Sequence, residues 1–199
     1  NYALTGTRTA SITRATISTV SGITATDKTY DGNATASLVT SGAVFNGMFT
    51  NDALNVATST GVFNDPRAAT NKTVSISGIT LGGTDAGNYT LTTSTASTTA
   101  TINPYAVTVT ALSQTKAYDS TTSVASSALN TGYSVSSMVG GESLSGVTLA
   151  YSDANVSRDG SGTVLSDKTI AVSAAQATAG TVLSDYAISY VKNTASTIT

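Results

Sequence analysis

The tetrapeptide pattern Lys-x-Tyr-Asp occurs twice, as Lys28-Thr29-Tyr30-Asp31 and Lys116-Ala117-Tyr118-Asp119, which are 116 − 28 = 88 residues apart. That interval matches one small domain, so the chain has to be read as a repeat before any residue is given a role. A second landmark keeps step with the first: Asn88-Tyr89 in one unit, Asp185-Tyr186 in the other, and Asn1-Tyr2 as a third copy. A residue that recurs in every unit serves the fold, whereas a catalytic centre occurs once. Lys28, Tyr30, Asp31, Gly32, Asn88 and Tyr89, with their counterparts Lys116, Tyr118, Asp119, Asp185 and Tyr186, therefore form a structural motif. Each motif Tyr is expected to be a buried ring, and each Asp a turn former bonding the backbone two residues on. Gly32 fits a turn that needs positive φ, while Ser120 at the equivalent place shows that glycine is not obligatory.

Between the landmarks the pattern has period two. Val74-Ser75-Ile76-Ser77, Tyr89-Thr90-Leu91-Thr92, Val107-Thr108-Val109-Thr110, Ile170-Ala171-Val172-Ser173 and Tyr186-Ala187-Ile188-Ser189-Tyr190 each alternate apolar and small residues. Alternation puts one set on a buried face and the other toward solvent, the mark of half-buried strands. Asp31-Gly32-Asn33, Ser41-Gly42, Asn46-Gly47, Gly82-Gly83, Gly140-Gly141 and Asp159-Gly160 are turn signals between them. The expected fold is all-β: tandem small Ig-like β-sandwiches, with a β-grasp-like sheet around one short helix as the alternative. A short helical turn is expected near 47–54 or 136–144.

The units align along their length. Asn51-Asp52-Ala53-Leu54 matches Gly141-Glu142-Ser143-Leu144, Phe63-Asn64-Asp65 matches Tyr151-Ser152-Asp153, and Lys72-Thr73-Val74 matches Lys168-Thr169-Ile170. Ala100-Thr101-Ile102 and Ser196-Thr197-Ile198 close the two units, and Ser11-Ile12-Thr13 belongs to the same series. Residues 1–18 read as terminal strands of a preceding repeat, 19–104 as repeat domain one, and 105–199 as repeat domain two, a degenerate copy. The offset drifts along the alignment, and Ala174–Ser184 is the expected insertion. Ile102-Asn103-Pro104-Tyr105 leaves only a few joining residues, with φ fixed at Pro104, so a stiff joint is expected.

Composition removes most chemistry. The 199 residues contain no Cys, His or Trp, which excludes disulfides, thiolate nucleophiles, His-dependent triads and the usual zinc sites. Only 10% are charged and the net charge is −2, so there is no basic stripe for nucleic acid. No run reaches the roughly 20 apolar residues of a membrane helix. Ser and Thr make up about a third of the chain, which favours strands with solvated faces and tight turns. No enzymatic activity and no cofactor are expected. Low charge, no Cys and abundant Thr, Ser, Gly and Asn fit an internal piece of a large exported bacterial surface protein.

Lys28-x-Tyr30-Asp31-Gly32, Asp52, Lys72-Thr73-Val74, Gly78-Ile79-x-Leu81 and Asp85-Ala86-Gly87-Asn88-Tyr89-x-Leu91 together resemble the YDG-type MBG repeat. This family is found in arrays in bacterial surface adhesins and filamentous-haemagglutinin-like exoproteins. The second unit departs from the pattern: Ser120 replaces the glycine, Asp185 the asparagine, and the Asp-Ala-Gly lead-in is lost. The resemblance implies a non-enzymatic spacer or adhesive repeat in a secreted or surface-attached protein, supporting adhesion or biofilm formation.

Other residues offer candidate chemistry. Asp27 with Asp31, and Asp153 with Asp159, could offer hard oxygen ligands to calcium, though no EF-hand or nonapeptide loop surrounds them. Lys28, Lys72, Lys116 and Lys168 recur in register, and an isopeptide staple would draw on Asn88 with Asp52 as its acid. Sequons occur at Asn33, Asn71, Asn88 and Asn155. The expected function is a stalk or spacer whose partners are neighbouring repeats of the same chain. The competing function is direct binding of a glycan, matrix protein or sister adhesin through Tyr105, Tyr133 and Tyr190.

Overall fold

The computed structural model describes residues 10–199 as strands, turns and three 3-10 turns, a β-sandwich-like fold. It divides into two compact units. The first comprises Asn1–Asp27, Ala34–Asp65 and Asn71–Thr101; the second comprises Lys28–Asn33, Pro66–Thr70 and Ile102–Thr199. Residues 1–9 of the expected terminal strands, Tyr2 among them, lie outside the described residues.

In the first unit, strand Ala15–Ile17 runs parallel to Tyr89–Leu91 and Thr19–Ser21 runs antiparallel to Val44–Asn46. Ala15–Ile17, which the sequence assigns to the preceding copy, thus pairs within this unit. Opposite them, Thr35–Ala36, Asn55–Phe63, Ala69–Gly82 and Ala96–Asn103 are neighbours in that order in one sheet. Along the long strand Lys72, Val74 and Ile76 are buried while Thr73, Ser75 and Ser77 are exposed, as period two requires. Gly78, at φ 64°, then breaks the alternation so that Ile79 is also buried, and the pairing with Asn55–Phe63 shifts register there. Ile17, Val20, Ile23, Phe45, Phe63, Val74, Ile76 and Ile79 fill the core. Each fully buried Ile among them contributes about 1.5–3 kcal/mol of transfer free energy. Ile12, by contrast, is 99% exposed.

The second unit is built on two facing sheets. One has the order Tyr133–Val135, Tyr105–Ala111, Tyr186–Val191; the other Thr115–Lys116, Asn193–Ile198, Lys168–Ala177, Leu144–Tyr151. Val107, Val109 and Ala111 point inward from the first, and Tyr151, Ile170, Val172 and Ile198 from the second. Tyr105–Thr110 pairs in parallel with Tyr186–Val191 over six residues, the longer counterpart of Ala15–Ile17 on Tyr89–Leu91. The Lys-x-Tyr-Asp segments share one backbone setting. Lys28 pairs in parallel with Ile102, and Lys116 with Ile198. The next-but-one N–H donates onward in both: Tyr30 to Asn103 O at 2.8 Å, and Tyr118 to Thr199 O at 2.9 Å.

Two expectations change, and a third resolves between its two alternatives. The inserted residues of the second unit do not lie at Ala174–Ser184. Tyr151 and Lys168 are separated by 168 − 151 = 17 positions, against 72 − 63 = 9 for Phe63 and Lys72, so the extra length is the 152–167 loop. That loop organises itself around Asp159, whose Oδ1 accepts from the N–H groups of Ser161 and Thr163 and from the Ser161 hydroxyl. The 136–144 helical turn is a three-residue 3-10 turn, Val139–Gly141, while 47–54 contains turns without a helix. Tyr118 is not a buried ring: it is 54% exposed, whereas Tyr30 is 3% exposed. The backbone setting is shared, but only Tyr30 has a bed of side chains to lie in.

Candidate functional site

Four lysine–aspartate pairs mark corresponding places. Lys28 Nζ lies 2.7 Å from Asp31 Oδ1, and Lys116 Nζ 2.5 Å from Asp119 Oδ1, each three residues along the chain. Lys72 Nζ lies 2.6 Å from Asp65 Oδ1, and Lys168 Nζ 2.8 Å from Asp153 Oδ1. Lys72, Lys116 and Lys168 are buried while their aspartates remain nearly half exposed, so each pair carries a desolvated ammonium to the protein surface. The ammonium of Lys116 holds the Asp119 carboxyl well below the usual range, helped by the hydroxyl and N–H of Thr121. Lys168, with the Asn155 N–H, lowers Asp153 in the same way. Burial works against the shift at Asp31, but hydrogen bonds from Lys28 and Asn33 still bring it down.

These pairs account for the calcium candidates. Asp27 Oδ1 accepts from the Thr101 N–H, Asp31 and Asp153 face lysines, and Asp159 caps its own loop. No group of three or more acidic side chains converges among the described residues. The isopeptide candidates are likewise placed: Lys28 and Lys72 are held by Asp31 and Asp65, Asn88 is exposed, and Asp52 is engaged by Tyr89. The four sequon asparagines are all exposed.

A second construction uses the Tyr of the Asn-Tyr and Asp-Tyr landmarks. In the second unit Glu142 stands between two phenols. Tyr30 donates to its Oε1 at 2.9 Å and Tyr186 to its Oε2 at 2.5 Å, while the Val139 N–H donates to the Tyr186 oxygen at 3.2 Å. The rings of Tyr30 and Tyr105 both meet Tyr186 edge-on, with centroids 5.7 and 6.3 Å away. Beside them the fully buried Asp185 accepts from Arg67 Nη1 at 2.8 Å and from the Ala68 N–H at 2.7 Å. Burial and the Glu142 carboxylate raise the Tyr30 and Tyr186 phenols above their ordinary value. The Asp185 bond, in turn, raises Arg67. This explains the exchange of Asn88 for Asp185: in the second unit the side chain faces a guanidinium.

The first unit repeats the receiving half. Tyr89 donates to Asp52 Oδ2 at 2.5 Å, the Phe49 N–H donates to the Tyr89 oxygen at 2.9 Å, and the Phe49 ring lies 6.3 Å from the Tyr89 ring. Burial and Asp52 raise the Tyr89 phenol. The sequence aligned Asp52 with Glu142 and Tyr89 with Tyr186, but it gave no sign that each acid accepts from its tyrosine. Arg67 was missed, since a lone Arg after Pro66 carries no motif. Among the aromatics named for ligand binding, Tyr133 is buried, Tyr105 half-buried and Tyr190 exposed; Tyr133 is therefore removed from that role. An open cavity of about 310 Å³ beside Glu142 is lined by Leu129, Val135, Met138 and Leu144 with Asn130, Ser136 and Ser143.

Fold and site define a protein of β-sandwich-like units, each holding buried lysine–aspartate pairs and tyrosine–carboxylate bonds. Residues 13–99 match the model of the YDG domain. No curated protein and no solved structure matches the chain.

Proposed function

We propose that this chain is a load-bearing spacer segment of a large bacterial surface adhesin, without enzymatic activity, holding an adhesive region away from the cell. The observation that carries the reading is the parallel pairing of the first strand of each unit with a late strand: Ala15–Ile17 on Tyr89–Leu91, and Tyr105–Thr110 on Tyr186–Val191. When a unit is pulled through its two ends, such a ladder is loaded along the strands. Its evenly spaced hydrogen bonds then share the load instead of opening one by one. Pro104 alone separates strand Ala96–Asn103 from strand Tyr105–Ala111. The surface-exposed adhesin setting rests on the composition and the family resemblance.

The competing reading, direct capture of a glycan or protein, retains Tyr190 and the cavity beside Glu142 as its supports. A glycan array and a pull-down with matrix proteins separate the two. A spacer gives silence on both; a saturable hit abolished by Tyr190→Ala or Leu129→Arg would transfer the function to these units.

A further inference from the structure

The charges around Glu142 in the second unit do not balance. Asp185 and Glu142 share one guanidinium, that of Arg67, which lies 2.8 Å from Asp185 Oδ2 and 4.0 Å from Glu142 Oε1. The shorter contact commits Arg67 to the fully buried Asp185, and among the described residues no other cation forms an ion pair with either acid. Tyr30 and Tyr186 donate to Glu142 but carry no charge, so one negative charge is left over on a side chain that is 20% exposed. A largely buried carboxylate in that position has lost hydration that its neighbours do not fully restore. The same Glu142 lines the open cavity of about 310 Å³. That volume lies at the small end of ligand sites, roughly 300–1,000 Å³, and suits a short chain. Leu129, Val135, Met138 and Leu144 give the cavity aliphatic walls, Ser136 and Ser143 add hydroxyl oxygens, and no aromatic ring is among the lining residues to stack on a sugar.

We propose that this cavity binds a primary alkylammonium group, the ammonium pairing with Glu142 and the aliphatic stem lying against Leu129, Val135, Met138 and Leu144. Each part of such a ligand answers one feature of the wall. The cation supplies the counter-charge that Arg67 gives to Asp185, and its remaining N–H groups have the Ser136 and Ser143 oxygens as acceptors. The stem covers apolar surface that a hydrated metal ion would leave wet. An anion would meet Glu142 with like charge, and a neutral chain would forgo the ion pair. A free amine and a lysine side chain of a peptide present the same group, so the class includes both. The proposal stands apart from the spacer reading, which pulling decides by itself.

Titration of the full chain with hexylammonium chloride, followed by amide proton–nitrogen correlation spectra, tests it. The expected result is a saturable shift of amides between Leu129 and Leu144, with a Kd in the millimolar range that weakens as salt is added. Hexanol, with the same stem, binds at least about tenfold more weakly, and hexanoate does not bind. Shifts of the same amides by Nα-acetyl-lysine amide uphold the proposal with a peptide source, and shifts by hexylammonium alone uphold it with a free amine. Glu142→Gln removes the preference for amine over alcohol. Leu129→Arg, at a residue 48% exposed, fills the mouth with its own guanidinium and abolishes binding, and circular dichroism checks the fold of both variants. The ligand series on the unaltered chain decides the matter even where Glu142→Gln, which also disturbs the phenol bonds, fails to fold. Absence of saturation, shifts scattered outside this segment, equal affinity for the amine, the alcohol and the carboxylate, or undiminished binding by folded Leu129→Arg would overturn the proposal.

Discussion

Replacing Tyr186 by Phe removes one oxygen and tests whether the tyrosine–carboxylate bond holds the second unit together. The ring is 6% exposed, so water has little access to the groups left behind. The substitution strips Glu142 Oε2 of its 2.5 Å donor and the Val139 N–H of its acceptor, while the edge contacts to Tyr30 and Tyr105 survive. A hydrogen bond to a charged group contributes about 1.5–3 kcal/mol, and the orphaned N–H adds to the loss, so a destabilisation of about 2–3 kcal/mol is expected. Urea unfolding followed by circular dichroism measures it, and a double-mutant cycle with Glu142→Gln isolates the pair. The pH dependence supplies an independent sign. The folded phenol titrates above its unfolded value of about 10, so its contribution is full below that pH and is lost as pH rises through the folded value. Tyr186→Phe should therefore flatten the alkaline loss of stability. A loss below about 0.5 kcal/mol, a neutral surface value, or an alkaline profile identical to wild type would refute the reasoning.

Other substitutions separate the shared motif from its surroundings. Tyr30→Ala should cost about 3–5 kcal/mol, as for other buried aromatics, whereas Tyr118→Ala should stay within the ±0.5 kcal/mol of a surface change; urea midpoints of the two variants check this. Ser120 sits at φ 63°, as Gly32 sits at φ 80°, so Ser120→Gly should stabilise by about 1 kcal/mol, read as a higher thermal midpoint. The depressed carboxyls of Asp119 and Asp153 contribute stability that is complete above about pH 4 and lost as pH falls through their folded values. Acid titration of Asp119→Asn should be flatter than wild type in that window. Tyr151 donates to Gln114 O at 2.9 Å from a ring that is 2% exposed, and Tyr151→Phe should cost about 1–2 kcal/mol in the same urea assay.

Period two was legible wherever apolar and polar residues alternate, and Val74, Ile76, Val107, Val109 and Ile170 are all buried as it requires. The repeat was legible from Lys-x-Tyr-Asp and its backbone equivalence holds in both copies. Burial of the motif ring was not, because it depends on which side chains stand opposite: Glu142 and Tyr186 for Tyr30, none comparable for Tyr118. The pairing of Lys72 with Asp65 and Lys168 with Asp153 was half-legible. The sequence aligned each residue with its counterpart, but only the chain's return after the loop brings amine and carboxylate within 2.6 and 2.8 Å. Arg67 gave no signal, since its role comes from meeting Asp185, 118 residues further along.

Single-molecule pulling through the two ends of the chain tests the load-bearing claim most directly. The account predicts two separate rupture events, one for each unit, with a higher force for the six-residue parallel ladder Tyr105–Thr110 on Tyr186–Val191 than for the three-residue ladder Ala15–Ile17 on Tyr89–Leu91. Smooth extension at low force, with no rupture peak from either unit, would contradict it.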